Sequence, residues 1–174
     1  MTAPAPGRVV WIIGLSGAGK TAIGTALWHR MRAWDPATVL LDGDAVREVM
    51  GNDLGHSLED RLRNAWRLAR LGAFLSRQGI SVVCPNISLF PELRVWNREN
   101  LPSYFEVYVR VPMEVLKARD SKGLYRRALA GELRDVVGVD LPYPEPEHSD
   151  LVLDNSVSLP SLSPLVDRIL ERLG

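Results

Sequence analysis

Gly14-Leu15-Ser16-Gly17-Ala18-Gly19-Lys20-Thr21 follows the apolar run Val9-Val10-Trp11-Ile12-Ile13 and opens a stretch with helical spacing. The octet fits G-x-x-x-x-G-K-[ST], which builds a polyphosphate cradle when a strand leads in and a helix leads out. Gly14, Gly17 and Gly19 let the backbone fold back and aim its N–H groups at phosphate oxygens, with Leu15, Ser16 and Ala18 contributing to the same cradle. The positive end of the following helix adds to the field. Lys20 can reach the outer phosphates, and the Thr21 hydroxyl suits Mg2+, so ATP with Mg2+ is the expected donor.

Outward from this loop, strands alternate with helices. Arg8–Ile13 reads as a strand buried in a parallel sheet. Ala22, Ile23, Ala26, Leu27 and Met31 predict one apolar helix face, which Asp35-Pro36 ends. Thr38–Leu41 is a second strand, closed by Asp42-Gly43-Asp44. The longest helical pattern runs from Ser57 to about Gln78. Ser57 with Asp60 resembles a capping box, and Leu58, Leu62, Ala65, Trp66, Ala69 and Ala73 form the expected buried stripe. Ile80–Cys84 is a third strand. Further elements are a helix from Pro91 to Asn100, a strand Tyr104–Val111, a helix Met113–Arg119, a helical patch Tyr125–Leu133, a strand Leu151–Leu153 and a helix Ser161–Leu173. The pattern implies a three-layer α/β fold of the P-loop nucleoside-triphosphate hydrolase type, a central parallel sheet with helices on both faces. Residues 1–7 read as a loose tail and 8–174 as one domain. The stretch 120–148 is too long for an ordinary connection and is expected to be a mobile lid.

Composition narrows the class. The chain has 174 residues, 46% hydrophobic and 24% charged, with 21 basic and 21 acidic side chains. A formal net charge of zero supplies no global field for nucleic acid or an anionic membrane, so neither partner is expected. Cys84 is the only cysteine, which excludes an intramolecular disulfide and suits a reducing cytoplasm. No apolar run approaches the roughly 20 residues of a membrane span. The five tryptophans read as core and helix-packing residues. The absence of an N-K-x-D guanine reader counts against a GTPase switch.

Beyond the loop, residues just after each strand matter, because strand carboxyl ends line the ligand crevice of an open parallel sheet. Asp42 and Asp44 follow the second strand. Asp44 is expected to take the proton of an attacking hydroxyl, and Asp42 to organise metal-bound water, with a surface D-G turn as the bland alternative. Arg47, then Arg61 and Asn64 on one helix face, suit a phosphate-bearing acceptor. Asn86, Ile87 and Ser88 follow the third strand and face the same crevice. Lys122, with Arg126 and Arg127, lies in the expected lid and can close over phosphates.

The chain resembles adenylyl-sulfate kinases (APS kinases). The segments that carry the resemblance are the octet, Leu41–Arg47, Asn52–Ser57 with Arg61 and Asn64, Ile87-Ser88, Ala118–Tyr125 and Gly138-Val-Asp140 before Pro142-Tyr143. They run in family order through nearly the whole chain. The resemblance implies phosphorylation of the ribose 3′-hydroxyl of adenosine 5′-phosphosulfate (APS) to PAPS, and commonly a homodimer. It implies Asp44 near the acceptor hydroxyl, Arg47, Arg61, Asn64 and Ser88 on the acceptor nucleotide, Lys122 in the closing lid and Arg119 on the donor. His56 and Val137 stand where the family usually has two phenylalanines that resemble a clamp on the acceptor base. Asn86–Arg98 also departs from the family pattern of Phe-Ile-Ser-Pro-Tyr followed by arginines. A related kinase on another capped ribonucleotide, such as cytidine diphosphoramidate, is the alternative; a non-catalytic nucleotide-binding module is the second class.

Overall fold

The computed structural model describes residues 5–88, 90–120 and 122–174; the first four residues of the expected tail lie outside this set. Strands β1 (Val9–Ile13), β2 (Val39–Leu40), β3 (Val82–Pro85), β4 (Tyr104–Arg110) and β5 (Leu151–Asp154) form one sheet, ordered β2-β3-β1-β4-β5. Every neighbouring pair is parallel. Parallel neighbours require crossovers, which helices supply. These are α1 (Lys20–Met31), α2 (Gly43–Val49), α3 (Leu58–Arg77), α4 (Pro91–Asn100), α5 (Met113–Arg119), α6 (Leu124–Leu129) and α7 (Ser163–Leu173).

β1 explains why both sheet faces are covered. Successive strand residues point to opposite sides. Val10 and Ile12 enter one apolar cluster with Ile23 and Leu27 of α1 and Val166 and Ile169 of α7. Val9, Trp11 and Ile13 enter the other with Leu68 and Ala69 of α3 and Leu93 of α4. All five strand residues are fully buried. A run without a polar residue is what two covered faces demand.

The structure moves several elements. α1 begins at Lys20, and its buried face is Lys20, Ile23, Gly24, Leu27 and Met31. Ala22 is exposed instead of buried. The loop draws Lys20 inward, and that rotation turns Ala22 out. On α3 the buried residues are Asn64, Ala65, Leu68, Ala69, Gly72, Ala73 and Ser76. Leu58, expected in the stripe, is 48% exposed. Trp66 lies on the flank, edge-on to Trp96 of α4 at 5.3 Å between ring centroids. Small residues let α3 approach the sheet closely, so the stripe follows size as much as hydrophobicity. Ser57 caps α3 by accepting the Asp60 N–H at 3.2 Å, but the Asp60 carboxylate turns to the Gly55 N–H at 3.0 Å. Trp34, expected to pack, is exposed. α6 stops at Leu129, short of the expected Leu133, and α7 begins at Ser163, whose N–H bonds the Ser161 hydroxyl at 3.1 Å.

One polar residue is buried within β4. Glu106 is 1% exposed and lies on the α3/α4 side of the sheet. Its carboxylate accepts two N–H bonds from Arg94 of α4, at 3.1 and 3.0 Å. It also accepts the Tyr104 hydroxyl and the Ser149 hydroxyl, both at 2.8 Å. Beside it Asp150 accepts the Glu106 N–H at 2.8 Å and pairs with Arg98 at 3.1 Å. A buried charge this fully partnered is costly to break from one side. Glu106→Ala is expected to lose about 3–5 kcal/mol, because Arg94 keeps its charge without a partner. A thermal melt checks this through a fall of about 6–20 °C at roughly 2–4 °C per kcal/mol for a chain of this size.

Candidate active site

The glycine loop joins β1 to α1. Gly14 has φ +149°, and a Cβ there would lie 2.5 Å from the Val109 carbonyl oxygen of β4. Gly19 caps α1 in the left-handed region at φ +96°, with no side chain capping the first turn. Those first N–H groups therefore remain free to receive an anion. Lys20 is buried, and its Nζ donates to the Leu15 carbonyl at 2.8 Å. Burial pulls the Lys20 pKa down to about 8; Asp42 and Asp44 push it back up, and Lys122 lowers it further. The charges of Asp42, Asp44 and Lys122 are thus all felt at this amine.

Asp42-Gly43-Asp44 is not the turn that a D-G pair suggests. Asp42 is the N-cap of α2, and its Oδ1 accepts the N–H groups of Asp44 at 3.0 Å and Ala45 at 3.3 Å. Its Oδ2 faces the loop and accepts the Thr21 hydroxyl at 3.0 Å. Capping thus aims one oxygen at the helix and the other at the phosphate cradle. Asp44 sits in the first turn of α2, exposed.

Around α2 and the start of α3, Arg47 donates to the carbonyls of Leu54 at 3.3 Å and of Gly55, closing the loop after α2. Arg61 donates from Nε to the His56 carbonyl at 2.8 Å and from Nη2 to the Asp135 carbonyl at 3.1 Å. Desolvation lowers its pKa first, then the nearby Arg47, while Asp135, Asp44 and Asp140 oppose the shift. Asn64 reaches the Gly43 carbonyl at 3.3 Å, and its buried Oδ1 has no partner among the described residues. Ser88 is buried at φ +53°, and its hydroxyl has no partner among the described residues. Buried polar atoms are normally paired, so Asn64 and Ser88 are suited to meet a ligand. Asn86 turns its amide toward the Cys84 sulfur at 3.8 Å, and Ile87 beside it is half-buried. His56 is exposed, whereas Val137 is 3% exposed and presents almost no surface.

At the end of α5, Arg119 donates to the carbonyls of Asn155 at 2.7 Å and Ser156 at 2.8 Å. Asn155 in turn donates to the Ala18 carbonyl at 2.9 Å, and the Tyr125 hydroxyl donates to the Ser16 carbonyl at 2.7 Å. Sequence reading missed Asn155 and Tyr125. The rule that selected Asp42 and Asn86, position just after a strand, also selects Asn155 after β5. Tyr125 lies inside the Ala118–Tyr125 segment already singled out. A cavity of about 690 Å3 opens on the far side of Leu15, against Tyr108, Met113 and Tyr143. Lys20, Thr21, Asp42 and Asp44 do not line it, but Leu15 of the loop and Gly138 to Leu141 do.

The sequence model of the family described as adenylylsulphate kinase matches residues 6–154. An adenylyl-sulfate kinase of Deinococcus deserti is 45% identical over 147 residues, 84% of this chain and 81% of that protein. A cytidine diphosphoramidate kinase of Campylobacter jejuni is 38% identical over 166 residues, 95% of this chain and 96% of that protein. The solved APS kinase of Mycobacterium tuberculosis, in complex with AMPPNP and APS, superposes with a TM-score of 0.88 at 32% identity, covering 98% of this chain and 99% of that one.

Proposed function

The chain belongs to the adenylylsulphate kinase family, and we propose that it transfers the terminal phosphoryl group of ATP to the ribose 3′-hydroxyl of APS, giving PAPS. The observation that carries this reading is the 3.0 Å bond between Thr21 and Asp42, which ties the N-cap of α2 to the phosphate loop, with Asp44 two residues further on. A phosphoryl acceptor hydroxyl beside Asp44 then faces a donor held by residues 14–21.

Each residue has a stated task in this reading. The loop N–H groups and Lys20 bind the donor phosphates, and Lys20 stabilises charge on the transferring group. Arg119, at the end of α5 and tied to the carbonyls that follow β5, contributes to the donor site. Arg47, Arg61, Asn64, Asn86, Ile87 and Ser88 hold the acceptor, with His56 and Val137 at its base. Lys122 belongs to the lid, where a third cation screens the phosphates. As the 3′-oxygen bonds to phosphorus, the bond to the departing ADP oxygen breaks, and Asp44 accepts the hydroxyl proton. Most of the acceleration is positioning and charge stabilisation.

Mg2+ fits this donor set. Thr21 offers a hydroxyl, and Asp42 Oδ2 points at that hydroxyl while Oδ1 is committed to α2. Thr21 would hold the ion directly and Asp42 through a water. When bound, the ion supplies neutralisation of the donor phosphates. A cytoplasmic homodimer is part of the same proposal; among the described residues no helix is long and apolar enough to cross a membrane.

A second reading is favoured by one observation. The cytidine diphosphoramidate kinase aligns over 95% of this chain, and the two positions that would meet a base are the exposed His56 and the small, buried Val137. Turnover with ATP over a panel of capped nucleotides separates the two. APS is expected to exceed cytidine diphosphoramidate in kcat/KM by about 10^4-fold or more, the scale that polar groups left unpaired by the wrong acceptor enforce. Product with the cytidine compound alone would reverse the assignment.

A further inference from the structure

The segment 135–141 is a compact knot within the expected lid. The Asp140 carboxylate accepts the Asp135 N–H through Oδ2 and the Val136 N–H through Oδ1, both at 2.6 Å. Backbone bonds close the rest: Gly138 N–H to the Leu141 carbonyl at 2.7 Å, and Val139 and Asp140 N–H to the Val136 carbonyl at 3.0 and 3.2 Å. Asp135 has φ +60°, which a non-glycine residue keeps only when its surroundings hold it there. Two groups hold it. Asp140 takes its N–H, and Arg61 takes its carbonyl at 3.1 Å.

Arg61 thereby fastens three pieces with one guanidinium. It stands on α3, its Nε bonds the His56 carbonyl, and its Nη2 bonds the Asp135 carbonyl. Those are the two chain segments that carry the proposed base-side residues, His56 and Val137. The guanidinium is planar, so two fixed nitrogens set the direction of the third, Nη1. The orientation of Arg61 toward an acceptor anion therefore depends on where the Asp135 carbonyl sits. Asp140 decides that position. A carboxylate can accept both N–H bonds, whereas an amide offers a single oxygen and would set its NH2 against the other N–H.

We infer that Asp140 is a positioning residue for the acceptor: it shapes the 135–141 knot, and through the Asp135 carbonyl it aims Arg61. The inference rests on the assignment of Arg61 and Val137 to the acceptor site. It concerns neither the donor loop nor the proton acceptor.

The experiment compares wild type, Asp140→Asn and Asp140→Ala by steady-state kinetics with ATP and the acceptor that wild type uses best. Amide hydrogen exchange of Asp135 and Val136 is followed in the same proteins. In Asp140→Ala the acceptor KM is expected to rise about 10- to 100-fold, the scale of an ångström-level misplacement, with ATP KM within about two-fold and melting temperature unchanged. Exchange at the two amides is expected to accelerate by about ten-fold or more, because their protection is local. Asp140→Asn falls between. Faster exchange with an unchanged acceptor KM overturns the inference alone, as does a parallel loss of kcat, both KM values and thermal stability, which marks a merely structural role. A wild-type protein inactive on every acceptor instead overturns the parent reading.

Discussion

Lys20→Ala lowers kcat by about 10^2- to 10^3-fold or more while the protein stays folded. The magnitude is that of removing one preorganised charge from a phosphoryl-transfer site. The survival of the fold follows from the environment of the amine. Burial holds the Lys20 pKa down to about 8 from 10.5, and the opposing carboxylates recover only part of the loss. The charge is therefore a burden on the folded chain until phosphates arrive. Linkage sets the sign. Between about pH 8 and 10.5 the unfolded chain binds a proton that the folded chain lacks, so this group makes stability rise with pH across that window. Lys20→Ala loses that dependence and melts no earlier than wild type at pH 7. A polyphosphate restores the proton, so calorimetry of Mg·ATP binding at pH 8.5 in buffers of different ionisation enthalpy is expected to report proton uptake in wild type and none from this group in the variant. Full kcat in Lys20→Ala would contradict the donor assignment.

Asp44→Asn lowers kcat by about 10^2- to 10^4-fold, the range for loss of a general base. Unlike Asp42, Asp44 uses its backbone N–H, not its carboxylate, in the capping of α2. The amide is nearly isosteric, so helix and loop are retained and the ATP KM is expected to stay within about three-fold, as for a group acting only in the transition state. Rapid-quench measurement of the chemical step isolates the effect from product release. Retention of more than about a tenth of wild-type rate in that step would remove Asp44 from the role of proton acceptor.

The parts legible in the sequence are those whose causes are local. The octet 14–21 is read from eight consecutive residues, and β1 from five apolar ones whose burial on both faces follows from their uniformity. The position of Asp42 and Asp44 was legible by a rule about strand ends, although α2 was not. Locally Asp42-Gly43 reads as a turn, and of α2 only Val46 is buried, so the helix has almost no apolar periodicity to announce it. α3 was legible as a helix and in part of its buried stripe, Ala65, Ala69 and Ala73, but not at Gly72 and Ser76, which face the sheet through smallness, nor at Leu58, which is exposed. Glu106 looks like an outward-facing strand residue; its partners Arg94 and Ser149 lie 12 and 43 positions away. Asn155 and Tyr125 support the phosphate loop from 137 and 109 positions away. Interactions across such separations leave no spacing to read.

Residues 120–148 are fastened on both sides. At one foot Asp120 receives the N–H groups of Tyr125 and Arg126, and Tyr125 is fastened to Ser16. At the other, Ser149 and Asp150 are tied to Glu106 of β4, and Asp150 also to Arg98 of α4. The stretch between them is held along its length as well: Asp135 is bonded to Arg61, Val136 is buried in the cluster that contains Ala18 and Ile23, and the Tyr108 hydroxyl donates to Glu145. A change between Arg127 and His148 is therefore felt in α3 and in the core beneath the phosphate loop, and a new acceptor chemistry has to be accommodated in both at once.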